Sequence, residues 1–411
     1  MFKAAPTVSA LLEELRDFSQ FGTATRAEQL HAPDGSGVPV FINEFWTAQQ
    51  RAAHSLHEIS YRACFKPVLP RFFIERLTEP GDRVYDPFMG RGTTLLEAAL
   101  LGRRVAGCDV NPLCRALVAP RLDPPSLTAI AERLAAIPLE WGGEVWGELG
   151  VFFEARTLRE ITALREYFLQ RAATGSLDHV DQWIRMVALS RLTGHSKGFF
   201  SVYTLPPNQA VTIQSQERIN RQRNQTPDYR DVRALIWKKS KQLLADGVPL
   251  GSRLAGDGRL LTGSCDATPQ LADGSVDLVV TSPPFLAVVD YVTDNWMRGW
   301  FCGIDPRTVS IWQLKKIDDW SAAMTRALAE LYRVVRPGGA VAFEVGEVDK
   351  GRVRLEENVL AIGAHAGFTP VLVLIHAQEF TKTANCWGVT NDAKGTNTNR
   401  VVVFQKPAGA A

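Results

Sequence analysis

The chain has 411 residues, 45% hydrophobic and 22% charged, with a formal net charge of +2. This balance excludes a mostly disordered chain, a collagen-like repeat and a coiled-coil rod; the length suits one large domain with an insertion, or two domains. No stretch approaches the ~20 consecutive apolar residues of a membrane span, and the N-terminal MFKAAPTVSALLEELRDF lacks a signal-peptide pattern, so a cytoplasmic protein is expected.

In chain order, Ser9–Phe18 predicts a short helix, followed by a polar stretch around Pro33–Gly37. Residues 1–45 read as a peripheral N-terminal extension. From Phe45 to Leu77 the pattern is helical, broken by Pro67 and Pro70. Pro80-Gly81-Asp82 predicts a turn, and Arg83–Asp86 a short buried strand. The strand runs into Pro87-Phe88-Met89-Gly90-Arg91-Gly92-Thr93-Thr94, then a helix over Leu95–Leu101 and a second strand over Arg104–Asp109. A strand, glycine loop, helix and strand with an acid at its end match the first half of a doubly wound nucleotide-binding sheet.

The alternation then stops. Residues 113–255 read as a helical insertion, with LREITALREYFLQRA and WIRMVALSRL as its clearest amphipathic runs. Between helices lies an aromatic, proline-containing loop, Gly198–Asn208, and after it come two basic helical patterns, Gln214–Arg223 and Tyr229–Leu244. Residues 191–241 carry 10 Lys and Arg against 3 Asp and Glu; the remainder carries 36 against 41, a net of −5. One basic segment on an otherwise acidic chain is what a phosphate-facing surface predicts.

Strands return at Arg259–Gly263 and Val276–Val280, the second running into Thr281-Ser282-Pro283-Pro284-Phe285. A helix over Ser321–Val335, a turn at Arg336–Gly339, a strand over Ala340–Val345 and a helix over Leu355–Ala366 follow. Thr369–His376 and Arg400–Gln405 predict a terminal hairpin. The expected division is therefore 1–45, 46–112 (first cofactor-binding part), 113–255 (insertion, candidate DNA-recognition region) and 256–408 (catalytic remainder). The six cysteines form no CxxC pair and no histidines cluster beside them, so neither a metal site nor a disulfide framework is expected.

Two loops carry the chemistry. The loop Asp86–Thr94 lets a ligand approach the backbone and aims helix N-terminal amides at it. It has neither phosphate-loop spacing nor a lysine, and Asp86 would repel a phosphate. A cationic ligand suits it better, such as an amino-acid ammonium beside a sulfonium. Asp109, one strand over, is placed for a ribose diol. In the second loop, Pro283 and Pro284 fix the backbone and remove two amide donors, which leaves carbonyls beside Ser282 to accept hydrogen bonds. With the Phe285 ring next in sequence, these groups suit an exocyclic amino group on a stacked ring.

Together, DPFMGRGTT and the downstream TSPPF resemble the amino-methylating DNA methyltransferases, which use S-adenosylmethionine to methylate N4 of cytosine or N6 of adenine. The family's first motif has the form DPF.GSGTT, with Arg91 here in the usual Ser position, and its catalytic motif is [DNST]PP[YFW]. The Ser form is usual in the N4-cytosine branch. The resemblance implies a Rossmann-like S-adenosylmethionine-dependent methyltransferase sheet whose last strand runs antiparallel. It implies that Asp86, Pro87, Phe88, Gly90, Gly92, Thr93 and Thr94 form the cofactor loop, with Asp109 and Asn111 at the ribose. It further places Asp266 at the adenine amino group, Phe65 and Lys66 at the methionine end, and Ser282, Pro283, Pro284 and Phe285 at the target amine. The expected reaction is N4-cytosine methylation of double-stranded DNA by direct attack on the sulfonium methyl, with the target base out of the duplex. An adenine N6 enzyme, an RNA exocyclic-amine methyltransferase and an inactive nucleic-acid-binding scaffold are the alternatives. A cognate restriction endonuclease would be encoded separately.

Family members place their recognition region elsewhere, so the insertion's role rests on charge. Arg218, Arg221, Arg223, Arg230, Arg233, Lys238, Lys239 and Lys241 are the expected phosphate contacts. Gln214, Gln216, Asn220, Asn224 and Gln225 could reach base edges. His195 and the Phe199–Pro207 loop would either enter a groove or sit under the helices. Tyr291, Trp296 and Trp387 are weaker candidates for the base wall, and Thr381–Arg400 for its border.

Overall fold

The computed structural model describes residues 7–47, 53–61, 64–205, 210–247, 258–284, 291–312, 314–346, 354–377 and 398–409. Nine strands form one sheet: β1 (Arg26–His31), β2 (Gly37–Asn43), β3 (Arg83–Asp86), β4 (Arg104–Asp109), β5 (Arg259–Thr262), β6 (Val276–Thr281), β7 (Val335–Val345), β8 (Thr369–Ala377) and β9 (Thr398–Gln405). Their spatial order is β1-β2-β8-β9-β7-β6-β3-β4-β5. From β7 to β5 the neighbours are parallel; β9 runs antiparallel between β7 and β8. The expected doubly wound sheet with an antiparallel last strand is therefore borne out.

The strand order reverses beside β3, so the C-terminal ends of β3, β4 and β6 open a crevice there. Strand residues alternate between two apolar layers. Val84, Leu278, Val280, Ala342 and Val403 face one, and Tyr85, Val279, Val341, Phe343 and Phe404 the other. Helices α11 (Ile317–Val334) and α12 (Leu355–His365) cover the second layer. Their apolar residues recur at helical spacing: Trp320, Ala323, Met324, Ala327, Leu328 and Leu331.

The first layer lies under α2 (Val68–Leu77), α3 (Thr93–Leu100) and α4 (Pro112–Leu122). It continues without a break into α5 (Leu127–Ala136), α6 (Ala155–Ala173), α7 (His179–Leu189), α9 (Val232–Leu243) and α10 (Tyr291–Cys302). The insertion is helical as read, but it is not a separate layer. Trp183, Ile184, Ile236 and Phe168 belong to the same buried cluster as the sheet face. Inside it the buried Asp181 is held by Arg133 and Arg171, and Trp183 Nε1 donates to Ser240 Oγ at 3.0 Å.

The N-terminal extension departs from expectation. Instead of lying at the periphery, it gives the sheet two strands, β2 pairing parallel with β8 across more than 300 residues of sequence. Val38, Val40 and Phe41 are buried, while the edge strand β1 is almost wholly exposed. The expected helical run from Phe45 to Leu77 contains, among its described residues, a single 3-10 turn at Ser55–His57 and then α2. Pro67 caps α2 and Pro70 sits in its first turn, where a missing amide costs nothing. Helix α1 (Val8–Arg16) is present as read, and so is the terminal hairpin.

Candidate active site

The chemistry-bearing loops meet at one end of the sheet. At the end of β3, Asp86 is 2% exposed; its Oδ1 accepts the Phe88 amide at 3.1 Å and the Thr281 hydroxyl at 2.7 Å. Among the described residues no lysine, arginine or histidine is paired with it. Burial pushes its pKa up to about 7, against hydrogen bonds from Thr281 and Phe88. A buried carboxyl without a cation fits a positively charged ligand.

The glycines give the loop its path. Gly90 (φ 47°) and Gly92 (φ 74°) both occupy the left-handed region. A Cβ on Gly92 would stand 2.5 Å from Val118 Cγ2, so the loop is pressed against α4. Arg91 stands in the position the family gives to Ser and lines the crevice together with Asp86. Its guanidinium donates to the Ile59 carbonyl at 2.9 Å and to Thr93 Oγ1 at 3.2 Å, pinning the loop to residues 57–59. Buried Arg121 braces the loop further by donating to the Arg91 and Leu56 carbonyls. Thr94 is committed to the fold, its hydroxyl donating to the Val280 carbonyl at 3.0 Å.

Asp109 ends β4. One of its oxygens accepts the Gly90 amide and the other the Asn111 amide, both at 2.9 Å. Burial raises its pKa as well. A cleft of about 680 Å³, solvent at its mouth included, lies over these groups. Pro87, Phe88, Gly90, Asp109 and Asn111 form one wall, Gly263–Cys265 another, and Tyr61, Ser282, Pro284, Ile311 and Trp312 the rest. A second pocket of about 310 Å³ adjoins it and shares Tyr61, Phe88, Gly90 and Ser282, adding Phe65, Asp86 and Thr93. Asp86 lines only the second pocket, and Gly263–Cys265 only the first.

Ser282 therefore stands where the loop after β3 and the Ser-Pro-Pro loop after β6 meet. Pro284 lines the cleft too, its carbonyl accepting Trp320 Nε1 at 2.9 Å. Pro283 is buried beside them, and Phe285 lies outside the described residues. On the next strand Glu344, 4% exposed, accepts Asn399 Nδ2 at 3.0 Å and a hydrogen bond from Ser282. Burial raises its pKa, and those two donors partly offset the rise.

Other expected site residues fall elsewhere. Lys66 is exposed and lines a different hollow with Trp46 and Arg71. Gly92 shapes the loop without lining the cleft. Asp266 is bound to Arg326 at 3.0 Å, and its neighbours Ser264 and Cys265 line the cleft in its place. A hydrogen bond from Ser264, with that pairing, holds its carboxyl below the usual range despite burial. Trp312 was not singled out from the sequence. It meets Phe88 edge-on at 6.0 Å and lies 5.8 Å beneath the Arg326 guanidinium. Glu344 was missed too, although a lone acid inside VAFEV was a readable signal.

The basic segment sorts into two groups. Arg218, Arg221, Lys238 and Lys241 are exposed on α8 (Ile213–Arg223) and α9. Lys239 is buried and paired with Glu58 at 3.3 Å, Arg230 is paired with Asp228, and Arg233 donates to the Leu134 and Ile137 carbonyls. Arg223 lies 3.7 Å over the Tyr203 ring. Gln216 and Gln225 both donate to the Tyr203 carbonyl and to Asn220 Oδ1, while Asn220 Nδ2 donates to the Val151 carbonyl at 2.7 Å. These three amides knot a loop together; Gln214 and Asn224 remain exposed. Phe199, Phe200 and Val202 are buried, so the described part of the aromatic loop sits under the helices, with His195 tilted against Phe199 at 6.0 Å. Trp296 packs on Trp146 and Phe152 inside the insertion and donates to the Val211 carbonyl. Trp387, the Tyr291 side chain and most of Thr381–Arg400 lie outside the described residues.

Residues 25–118 match a family model of N6 and N4 DNA methylases. Type II methyltransferase M.MjaII of Methanocaldococcus jannaschii is 39% identical over 59 residues, 14% of this chain and 11% of that protein. Type II methyltransferase M.SfiI of Streptomyces fimbriatus is 27% identical over 111 residues, 27% of this chain and 22% of that protein. The matched segments thus span a tenth to a fifth of these relatives. A TehB-like S-adenosylmethionine-dependent methyltransferase structure from Corynebacterium glutamicum covers 82% of this chain and 86% of its own, at 11% identity and a TM-score of 0.30. The resemblance to the amino-methylating DNA methyltransferases is borne out; the matches leave cytosine N4 and adenine N6 undistinguished. Among the described residues no helix is long and apolar enough to cross a membrane.

Proposed function

We propose that this chain is an S-adenosylmethionine-dependent DNA methyltransferase acting on an exocyclic amino group, with N4 of cytosine as its target. One observation carries the reading: Ser282 of the Ser-Pro-Pro motif and the buried carboxyl of Asp86, paired with no cation among the described residues, line the same pocket, whose Arg91 guanidinium is bound to the Ile59 carbonyl.

The residues fit the cofactor. Asp86 suits its ammonium and sulfonium end, Asp109 with Asn111 the ribose, and Gly263–Cys265 with Phe88 and Trp312 the adenine. Bound there, S-adenosylmethionine supplies an activated methyl group. Ser282 accepts a hydrogen bond from the target amino group, which keeps its nitrogen lone pair available for attack. Catalysis is then mainly positioning in a polar, preorganised site. Ser282 in place of Asp favours cytosine by resemblance to the N4 branch.

Duplex DNA would lie against the exposed Arg218, Arg221, Lys238 and Lys241. Helix α8 begins two residues after Val211, whose carbonyl is bound by Trp296 of α10, the helix that follows the catalytic motif. A separately encoded nuclease would be the matching partner, a reading supported by the Type II designation of the relatives.

The test is incubation with labelled S-adenosylmethionine and unmethylated genomic DNA, followed by nucleoside mass spectrometry. N4-methylcytosine is expected. N6-methyladenine would overturn the base assignment, and no methylated deoxynucleoside would overturn the DNA substrate.

A further inference from the structure

Glu344 is an acid placed where the fold alone would put an apolar residue. Its strand neighbours Val341, Ala342, Phe343 and Val345 are fully buried, and it lies at the C-terminal end of β7 beside Ser282. Burying a carboxylate costs several kcal/mol unless partners compensate. Its partners are the neutral Ser282 hydroxyl and Asn399 amide. A glutamine would pin β9 to β7 equally well without that cost, so the strand pairing does not explain the charge.

We propose that Glu344 is a positioning residue that holds the Ser282 hydroxyl as an acceptor for the target amine and takes the amine's proton through it. The proposal rests on the reading that Ser282 meets the target amino group. With its hydrogen donated to Glu344, Ser282 Oγ keeps its lone pairs toward the base. Methyl transfer forms the N–C bond and breaks the S–C bond, whose electron pair stays on sulfur. The nitrogen is then cationic and must lose a proton. That proton passes to Ser282 Oγ as the serine's own proton passes to Glu344, leaving a neutral methylated amine and a neutral acid that later returns its proton to water.

The surrounding groups allow this. On the β6 side Thr281 is committed to Asp86. On β9 Arg400 is paired with Glu356 of α12. On β8 His376 accepts the Phe45 amide and stacks on Trp46, and burial with the nearby Lys66 lowers its pKa to about 4. Burial raises Glu344 above the ordinary glutamate value, so it accepts a proton only above that raised pKa. Transfer therefore rises with pH along a limb that belongs to Glu344.

The experiment is single-turnover DNA methylation from about pH 5.5 to 9 by wild type, Glu344→Gln and Asn399→Ala. Cofactor binding serves as the fold control, and wild-type minus Glu344→Gln infrared difference spectra titrate the carboxyl without DNA. Glu344→Gln should bind cofactor, transfer about 10²-fold more slowly and lose the limb. Asn399→Ala, lacking one donor to the carboxylate, should move the limb and the infrared titration to higher pH. A limb that persists in Glu344→Gln overturns the proposal. Should that variant fail to bind cofactor, an unmoved limb in Asn399→Ala overturns it instead. Cofactor is held saturating at every pH, so that the Asp86 dependence of binding does not enter the limb. A wild type that binds cofactor yet methylates no DNA overturns the DNA methyltransferase reading itself, while the infrared titration still reports the carboxyl.

Discussion

Thr281 donates its hydroxyl to Asp86 at 2.7 Å, tying the last residue of β6 to the last residue of β3. The bond crosses the sheet where the strand order reverses, so the loops that follow β3 and β6 are tied at their first residues. Its acceptor is a carboxyl that burial has pushed up to about 7.

The first prediction concerns that carboxyl. A cationic ligand favours the ionised form, so cofactor binding near neutral pH should release a proton and affinity should fall as pH drops through about 7. Calorimetry in buffers of different ionisation enthalpy reads the proton directly. Thr281→Val removes a donor to the carboxylate and should move the midpoint upward. Stability runs the other way. The folded pKa lies above the unfolded value of about 3.9, so the group's contribution is full below that value and lost as pH rises through about 7. Asp86→Asn should therefore melt higher relative to wild type at alkaline than at acid pH, while binding cofactor poorly. Equal cofactor affinity in the two proteins would remove Asp86 from the site.

The two loop glycines should separate folding from binding. Gly92→Ala meets Val118 at 2.5 Å with φ at 74°, so backbone strain of about 1–3 kcal/mol adds to a clash against α4. A clear drop in Tm is expected. Gly90 has open space to 3.8 Å and lines the cleft. Gly90→Ala should cost about 1–2 kcal/mol of left-handed strain and should mainly weaken cofactor binding. Thermal melts with and without cofactor distinguish the two.

Trp312 should carry much of the adenine affinity. It lines the cleft, stands edge-on to Phe88 and is backed by Arg326. Stacking a base on an aromatic ring contributes about 1–3 kcal/mol, so Trp312→Ala should weaken cofactor binding by about 5- to 150-fold. Asp266→Asn should matter less, because Arg326 already occupies that carboxylate. Quenching of tryptophan fluorescence on cofactor addition, lost in Trp312→Phe, provides the measurement.

The sheet's parallel half was legible because local rules determine it. Gly90 and Gly92 announce left-handed turns, Pro283-Pro284 a strand end, and Asp86 and Asp109 the acids at two strand termini. What escaped depends on distant partners. The strands β1 and β2 look peripheral until β8, over 300 residues on, supplies an edge. The convergence of Glu344, Asn399 and Ser282 joins three strands whose order no local pattern encodes. Asp266 reads as a ligand residue until Arg326 is seen beside it. In the insertion, charge was legible but direction was not, since a basic helix shows the same composition whether a given lysine faces water or core.

That distinction yields the last prediction. Each phosphate contact releases counterions, so removing one should lower the salt slope of DNA binding by about 1 and weaken affinity on all sequences alike. Arg218→Ala and Arg221→Ala, both exposed on α8, should behave this way with unchanged Tm. Lys239→Ala should not. Its ammonium is buried against Glu58, and burial together with nearby Arg191 holds its pKa below the ordinary lysine value. Its loss should lower Tm and leave the salt slope as in wild type. Gln216→Ala should also act through the fold, because it frees the Tyr203 carbonyl and Asn220 from a donor. Titrations at several salt concentrations, paired with melts, separate the classes. Full salt slopes in both arginine variants would move the DNA path off α8, because two exposed cations cannot contact phosphates and leave the counterion count unchanged.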